Sequence, residues 1–133
     1  MQINKKAIIV EDNLIMSILY ENYLQKMVFH TVGEIKDGKS AVELVRKYSP
    51  DVVIMDIKLQ GNMDGITASQ KIREFSDVPI IFITGNSDAE SKERATAISN
   101  SDFLVKPVTE EKLREVVNRV FGEEEGAEGE DQE

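Results

Sequence analysis

Five short apolar runs, each followed by a longer stretch of helical period, constrain this chain more than any other feature of its sequence. The runs are Ala7–Val10 (AIIV), Thr31–Ile35, Asp51–Met55 (DVVIM), Ile80–Thr84 (IIFIT) and Phe103–Val105. The first, third and fourth are close to continuously apolar, as strands buried on both faces are. The second is more polar, which places it nearer a sheet edge. Between the first two runs, Met16, Leu19, Tyr20, Tyr23, Leu24 and Met27 recur at three- and four-residue steps and make one helix face. Asn13 stands ahead of them as an N-cap. Ala41, Val42, Leu44 and Val45 mark a second helix, which Tyr48-Ser49-Pro50 ends because the residue before proline disfavours helical geometry. A third helix passes through Ala68, Ile72 and Phe75. A fourth, from about Ala89 to Ile98, is thin in apolar residues. Thr109 caps the last, whose Leu113, Val116, Val117, Val120 and Phe121 form a buried stripe.

Five units of this kind predict an α/β domain, a doubly wound parallel five-stranded sheet between two helix layers. Ligand sites in such sheets lie beyond the carboxyl ends of the strands, where the strand order reverses. The chain has 133 residues and a net charge of −9, with no cysteine and a single histidine, His30. Residues 123–133 hold seven acids and no base, so residues 1–122 carry only −2. The expected division is therefore one domain over 1–122 and a disordered acidic tail over 123–133. A near-neutral body lacks the basic footprint of direct nucleic-acid binding. The apolar run near the N-terminus is too short for a signal peptide or a membrane span, so a cytoplasmic protein is expected. Without cysteine, disulfides and thiol chemistry are excluded.

The positions just after the strands concentrate the chemistry. Glu11 and Asp12 follow the first strand and Asp56 the third; Thr84 closes the fourth and Lys106 the fifth. Three clustered carboxylates repel one another unless a cation joins them. Oxygen ligands without His or Cys favour Mg²⁺ or a similar hard ion over zinc. A carboxylate at such an edge can be a nucleophile toward phosphorus. Lys106 is placed to neutralise the transferring group, and Thr84 to donate a hydrogen bond to it. Taken singly, each residue has a plainer role: a helix-start acid, a turn aspartate, a strand threonine, a solvated loop lysine. Their joint placement on one edge is what argues for chemistry.

The segments IIVEDN, DVVIMDIKLQGNMDGI, PIIFITG and DFLVKP, in that order and spacing, resemble the receiver domain of two-component response regulators, chemotaxis regulators among them. The resemblance runs from about Lys6 to Phe121. It implies a flavodoxin-like (βα)5 fold of strand order 2-1-3-4-5. It implies Asp56 as phosphoacceptor, Glu11 and Asp12 as the Mg²⁺ pair, and the main-chain carbonyl of Lys58 as a third protein ligand. Thr84 and Lys106 would bind the phosphoryl group, Phe103 would be an aromatic switch acting with Thr84, and Lys106-Pro107 would be cis. Lys58 and Asn86 would tune the lifetime of the phosphorylated state. Asn100, where the family usually has Gly-Ala nearby, can take the left-handed conformation a helix end needs.

Leu14, Ile15 and Ile18 lie off the core stripe of the first helix, an apolar patch that suits docking. The resemblance makes the partner there a histidine kinase or histidine phosphotransfer protein. A downstream target or output domain would read the face built from Asp88–Phe121. The chain would catalyse only its own phosphorylation and slow autodephosphorylation. Two other readings compete. A Mg²⁺-dependent aspartyl-phosphate phosphatase would want a second acid where Lys58 stands. A flavodoxin-like binding module would want a phosphate loop where Glu11-Asp12-Asn13 stands.

Overall fold

The computed structural model describes residues 5–85 and 89–122. Strands and helices alternate: β1 (Lys5–Val10), α1 (Leu14–Gln25), β2 (Phe29–Ile35), α2 (Gly38–Tyr48), β3 (Val52–Asp56), α3 (Gly65–Arg73), β4 (Ile80–Thr84), α4 (Ala89–Thr96), β5 (Ser101–Val105) and α5 (Glu110–Val120). The strands pair in parallel in the order β2-β1-β3-β4-β5. The parallel sheet is the one expected from the alternating pattern, its strand order is the flavodoxin-like one that the resemblance implies, and the more polar β2 lies at an edge.

Alternation along the strands divides the core in two. Ile8, Val10, Val53, Met55, Ile80 and Phe82 face α2, α3 and α4, and pack with Ala41, Val45, Ile66, Ile72 and Ala95. Ala7, Ile9, Val52, Ile54, Ile81 and Ile83 face α1 and α5, and pack with Tyr20, Leu24, Leu113, Val116 and Val117. A parallel sheet covered on both faces needs such continuous apolar strands. Truncating one of these fully buried isoleucines to alanine would remove about 2–5 kcal/mol.

The caps follow from side chains named in the sequence. Asn13 Oδ1 accepts from the Met16 amide at 3.0 Å, and the Thr109 hydroxyl accepts from the Lys112 amide at 3.1 Å. Ser49, just before Pro50, closes α2 in the left-handed region at φ 45°. Asn100 also takes the left-handed region, at φ 53°, in the turn between α4 and β5 and not at a helix end.

Several boundaries differ from the apolar pattern. β1 starts at Lys5 and β2 at Phe29, because Lys5 and Phe29 are register partners although neither flank reads as an apolar run. The register slips between Ala7 and Ile8, leaving Val32 as the extra residue. α4 stops at Thr96, two residues short of Ile98, which is still buried in the first cluster. Ser17 is buried on α1 beside Tyr20, because its hydroxyl donates to Glu34 Oε1 at 3.1 Å. The acidic tail lies outside the described residues.

Candidate functional site

The chain leaves β1 toward β2 on one side and returns to β3 on the other, so the carboxyl ends of β1 and β3 flank a crevice. Glu11-Asp12 and Asp56 stand there. One carboxylate oxygen from each of the three lies within 4.8 Å of the others. Glu11 and Asp56 are 4% and 5% exposed, and Thr84 is buried beside them at the end of β4. Lys106 reaches in from beyond β5, its Nζ 3.6 Å from Glu11 Oε1 and 3.6 Å from Asp56 Oδ2. The five residues singled out at the strand ends thus share one edge.

Main-chain contacts hold Glu11, Asp56, Thr84 and Lys106. The Glu11 amide donates to the Ile35 carbonyl at 2.9 Å, and Glu11 Oε2 accepts from the Asn13 amide at 3.1 Å. Asp56 Oδ1 accepts from the Lys58 amide at 3.3 Å. The next residue, Ile57, donates to the Ile83 carbonyl at 3.1 Å and accepts from the Gly65 amide at 2.7 Å. The Lys106 amide donates to the Thr84 carbonyl at 2.8 Å, and the Lys106-Pro107 bond is cis.

Electrostatically the cluster is unbalanced. Burial, and then the charge of Asp56, push the Glu11 carboxyl up from 4.5 to about 7, against the Asn13 amide and Lys106. Burial raises Asp56 too, against the Lys106 charge, a hydrogen bond with Glu11 and the Lys58 amide. The pair behaves as two buried acids that resist losing both protons, with one ammonium between them. Glu11 Oε1 is buried and makes no hydrogen bond. A buried carboxylate oxygen without a hydrogen bond, within an all-oxygen donor set, is what a hard divalent cation fits. Glu11, Asp12 and Asp56 therefore have the composition and spacing to hold one.

The remaining expected residues fall as follows. Phe103 is half-buried on β5, packs against the first core cluster and lies under Lys92, whose Nζ is 5.2 Å from the ring centroid. The Lys58 side chain is exposed at the rim. Leu14, Ile15 and Ile18 are 66%, 72% and 47% exposed, a bare apolar surface beside the cluster. Asn86, and Asp88 of the output face, lie outside the described residues. His30 is exposed on β2, away from the chemistry.

Two residues that matter here were not singled out from the sequence. Gly65 packs so closely on the end of β3 that a Cβ would overlap the Asp56 carbonyl. Asp64 is the N-cap of α3, its Oδ1 accepting from the Thr67 amide at 2.8 Å. The Asp-Gly pair ahead of a helical stretch was the available signal: a capping acid, then a residue without a side chain.

Comparison with known proteins agrees with this geometry. Residues 7–118 match the model of the response regulator receiver domain. The chain is 35% identical over 103 residues to the transcriptional regulatory protein PdtaR of Mycobacterium tuberculosis, a match over 77% of this chain and 50% of that protein. It is 32% identical over 117 residues to the chemotaxis protein CheY of Bacillus subtilis, covering 87% of this chain and 97% of CheY. The chain thus spans about half the length of PdtaR and nearly all of CheY. Among solved structures, the receiver domain of the sensor histidine kinase PA1611 of Pseudomonas aeruginosa superposes with a TM-score of 0.79 at 27% identity, over 90% of this chain and 99% of that one. That structure has a magnesium ion coordinated in its active-site cleft.

Proposed function

The chain belongs to the response regulator receiver domain family, and on that premise we propose that Asp56 is the residue that accepts the phosphoryl group. The observation that carries this is the buried Asp56 carboxylate with Lys106 Nζ 3.6 Å from its Oδ2, inside a cluster of two further acids. An Asp56 oxygen attacks the phosphorus of a phosphohistidine, the P–N bond breaks, and its electron pair leaves on the imidazole nitrogen. The product is an acyl phosphate on Asp56. Lys106 Nζ stabilises the negative charge on the phosphoryl oxygens, and the Thr84 hydroxyl donates to one of them. Glu11 and Asp12, with Asp56 and the Lys58 carbonyl, would hold Mg²⁺, which when bound offsets the charge of the cluster and of the incoming group.

Binding, not turnover, is the output. Lys58 stands where an aspartyl-phosphate phosphatase would want its second acid, so the domain catalyses its own phosphorylation and slow dephosphorylation. The Leu14, Ile15 and Ile18 patch beside the cluster is the docking surface for a histidine kinase or phosphotransfer domain. If Ile15→Asp left phosphotransfer from such a partner unchanged, the docking role would be wrong. α4, β5 and α5, with Phe103 between them, form the face that a target reads.

The direct test is the intact mass of the protein after incubation with acetyl phosphate, with and without Mg²⁺, for wild type and Asp56→Asn. One phosphoryl adduct that needs both Mg²⁺ and Asp56 is expected. An adduct that persists in Asp56→Asn would overturn the assignment.

A further inference from the structure

α4 has fewer buried residues than any other helix of the domain: Ala95 alone. Much of its hold on its neighbours is charged. Lys92 lies over the Phe103 ring on the β5 side. On the other side, Arg94 Nη1 donates to Asp64 Oδ2 at 3.0 Å.

The second contact leads to the acceptor. Asp64 divides its carboxylate, with Oδ2 on Arg94 and Oδ1 capping α3 through the Thr67 amide at 2.8 Å. Burial by itself would raise the Asp64 carboxyl, but the Thr67 amide and then Arg94 bring it below its ordinary value, so it is ionised at neutral pH. The next residue, Gly65, donates its amide to the Ile57 carbonyl at 2.7 Å and rests against the Asp56 carbonyl. Three direct contacts in series therefore join α4 to the acceptor main chain: Arg94 to Asp64, Asp64 to the first turn of α3, and Gly65 to Asp56.

From this series we propose that Arg94 is a positioning residue for phosphoryl transfer: through Asp64 it seats the start of α3 against Asp56 and ties the acceptor's geometry to the position of α4. The inference rests on Asp56 being the acceptor. Both side chains of the pair are about a third or more exposed, 42% for Arg94 and 34% for Asp64. A pair so placed contributes modestly and is screened by salt, so its removal shifts a rate severalfold and does not abolish it. Asparagine caps a helix as well as aspartate does, so Asp64→Asn removes the charge and keeps the cap.

The experiment is the rate of Mg²⁺-dependent phosphorylation by acetyl phosphate, alongside the thermal midpoint, for wild type, Arg94→Gln, Arg94→Lys, Asp64→Asn and the Arg94→Gln/Asp64→Asn double variant. At low ionic strength, Arg94→Gln and Asp64→Asn should each be slower by about two- to fivefold. The double variant should be no slower than either single one, because both remove the same link. Arg94→Lys should recover part of the rate. The difference should vanish near 1 M salt, where the screening length is about 3 Å. A wild-type rate for Arg94→Gln at low salt, or losses that multiply in the double variant, would overturn the proposal. So would a loss that tracks the thermal midpoint and persists at high salt. Absence of any adduct on wild type would instead remove the Asp56 assignment, and this proposal with it.

Discussion

At the amino edge of the sheet, ahead of β4 and β5, one guanidinium holds three carbonyls. Arg73 donates to Ser99 O from Nε and Nη2 at 3.0 and 2.7 Å, to Asn100 O at 3.0 Å and to Ser76 O at 3.1 Å. Asn100 Nδ2 adds a bond to Asp77 O at 2.6 Å. Lys6 and Asp51 close the same edge between β1 and β3: the Lys6 amide donates to Asp51 Oδ2 and the Asp51 amide to Lys6 O, both at 2.7 Å. At the carboxyl edge one ammonium is divided between two buried carboxylates, and a third acid crowds them. The amino-edge groups satisfy one another and hold the strands; the carboxyl edge leaves acids short of hydrogen-bond partners, which suits it to a cation.

The largest expected effect tests whether the carboxyl edge depends on close backbone contact. Gly65→Ala puts a Cβ into the Asp56 carbonyl. It should destabilise the protein by about 2–3 kcal/mol, as overpacking of a tight site does, and slow phosphorylation at Asp56. Urea denaturation and acetyl phosphate kinetics measure both. Unchanged values would show that α3 can back away and that its seat is not restrictive.

Next comes Arg73→Ala, which strips partners from Ser76, Ser99 and Asn100. A loss of about 1–3 kcal/mol in urea is expected from leaving such acceptors unmade, with the rate of phosphorylation of the folded protein unaltered. A slowed rate at unchanged stability would break the division between the two edges.

Asp56→Asn should act in the opposite sense and stabilise the cation-free protein by about 1 kcal/mol, because it removes a like charge from a buried cluster. Its pH signature is specific. Glu11 is raised from 4.5 to about 7 by burial and then by Asp56. A raised folded value means that the stability linked to Glu11 is fully present below its unfolded value and is lost as pH rises through about 7. Cation-free wild type should therefore melt lower at about pH 8 than at about pH 6, and Asp56→Asn should flatten that slope. Added Mg²⁺ should raise the melting temperature of wild type more at the higher pH, since ligands must be deprotonated to bind it. Equal Mg²⁺ shifts at both pH values would mean that Glu11 titrates in its ordinary range.

The smallest effect belongs to the turn between α1 and β2. Val28 sits at φ 69°, a left-handed conformation that a β-branched residue rarely adopts. Val28→Gly should raise stability by about 1 kcal/mol or less, as relief of strain is partly offset by glycine's greater entropy loss. A drop in melting temperature would mean that the exposed Val28 side chain makes contacts outweighing that strain.

Much of the fold was legible because its signals are local. Ile80–Thr84 reads as a buried strand on its own, Asn13 and Thr109 announce the helices they cap, and Tyr48-Ser49-Pro50 ends one. The cluster was legible for a related reason: in a parallel sheet, whatever follows a strand must arrive at one edge, so Glu11, Asp12, Asp56, Thr84 and Lys106 could be collected without coordinates. The starts of β1 and β2 were not, because Lys5 and Phe29 are strand residues only by virtue of pairing with each other. The short α4 was over-extended to Ile98, an apolar residue that is buried from a turn and not from the helix.

What the sequence by itself determined is the alternation of strands and helices, the burial of both sheet faces and the chemical inventory of the carboxyl edge. Each is a matter of period, of a capping residue or of the position after an apolar run. The tertiary structure decided the rest: the approach of Gly65 to the Asp56 carbonyl, the reach of Arg94 to Asp64, the grip of Arg73 on three carbonyls, and the burial that pushes Glu11 up to about 7. These are distances and desolvation between segments far apart in the chain. They are set by how the helices pack across the sheet, and no local period encodes them.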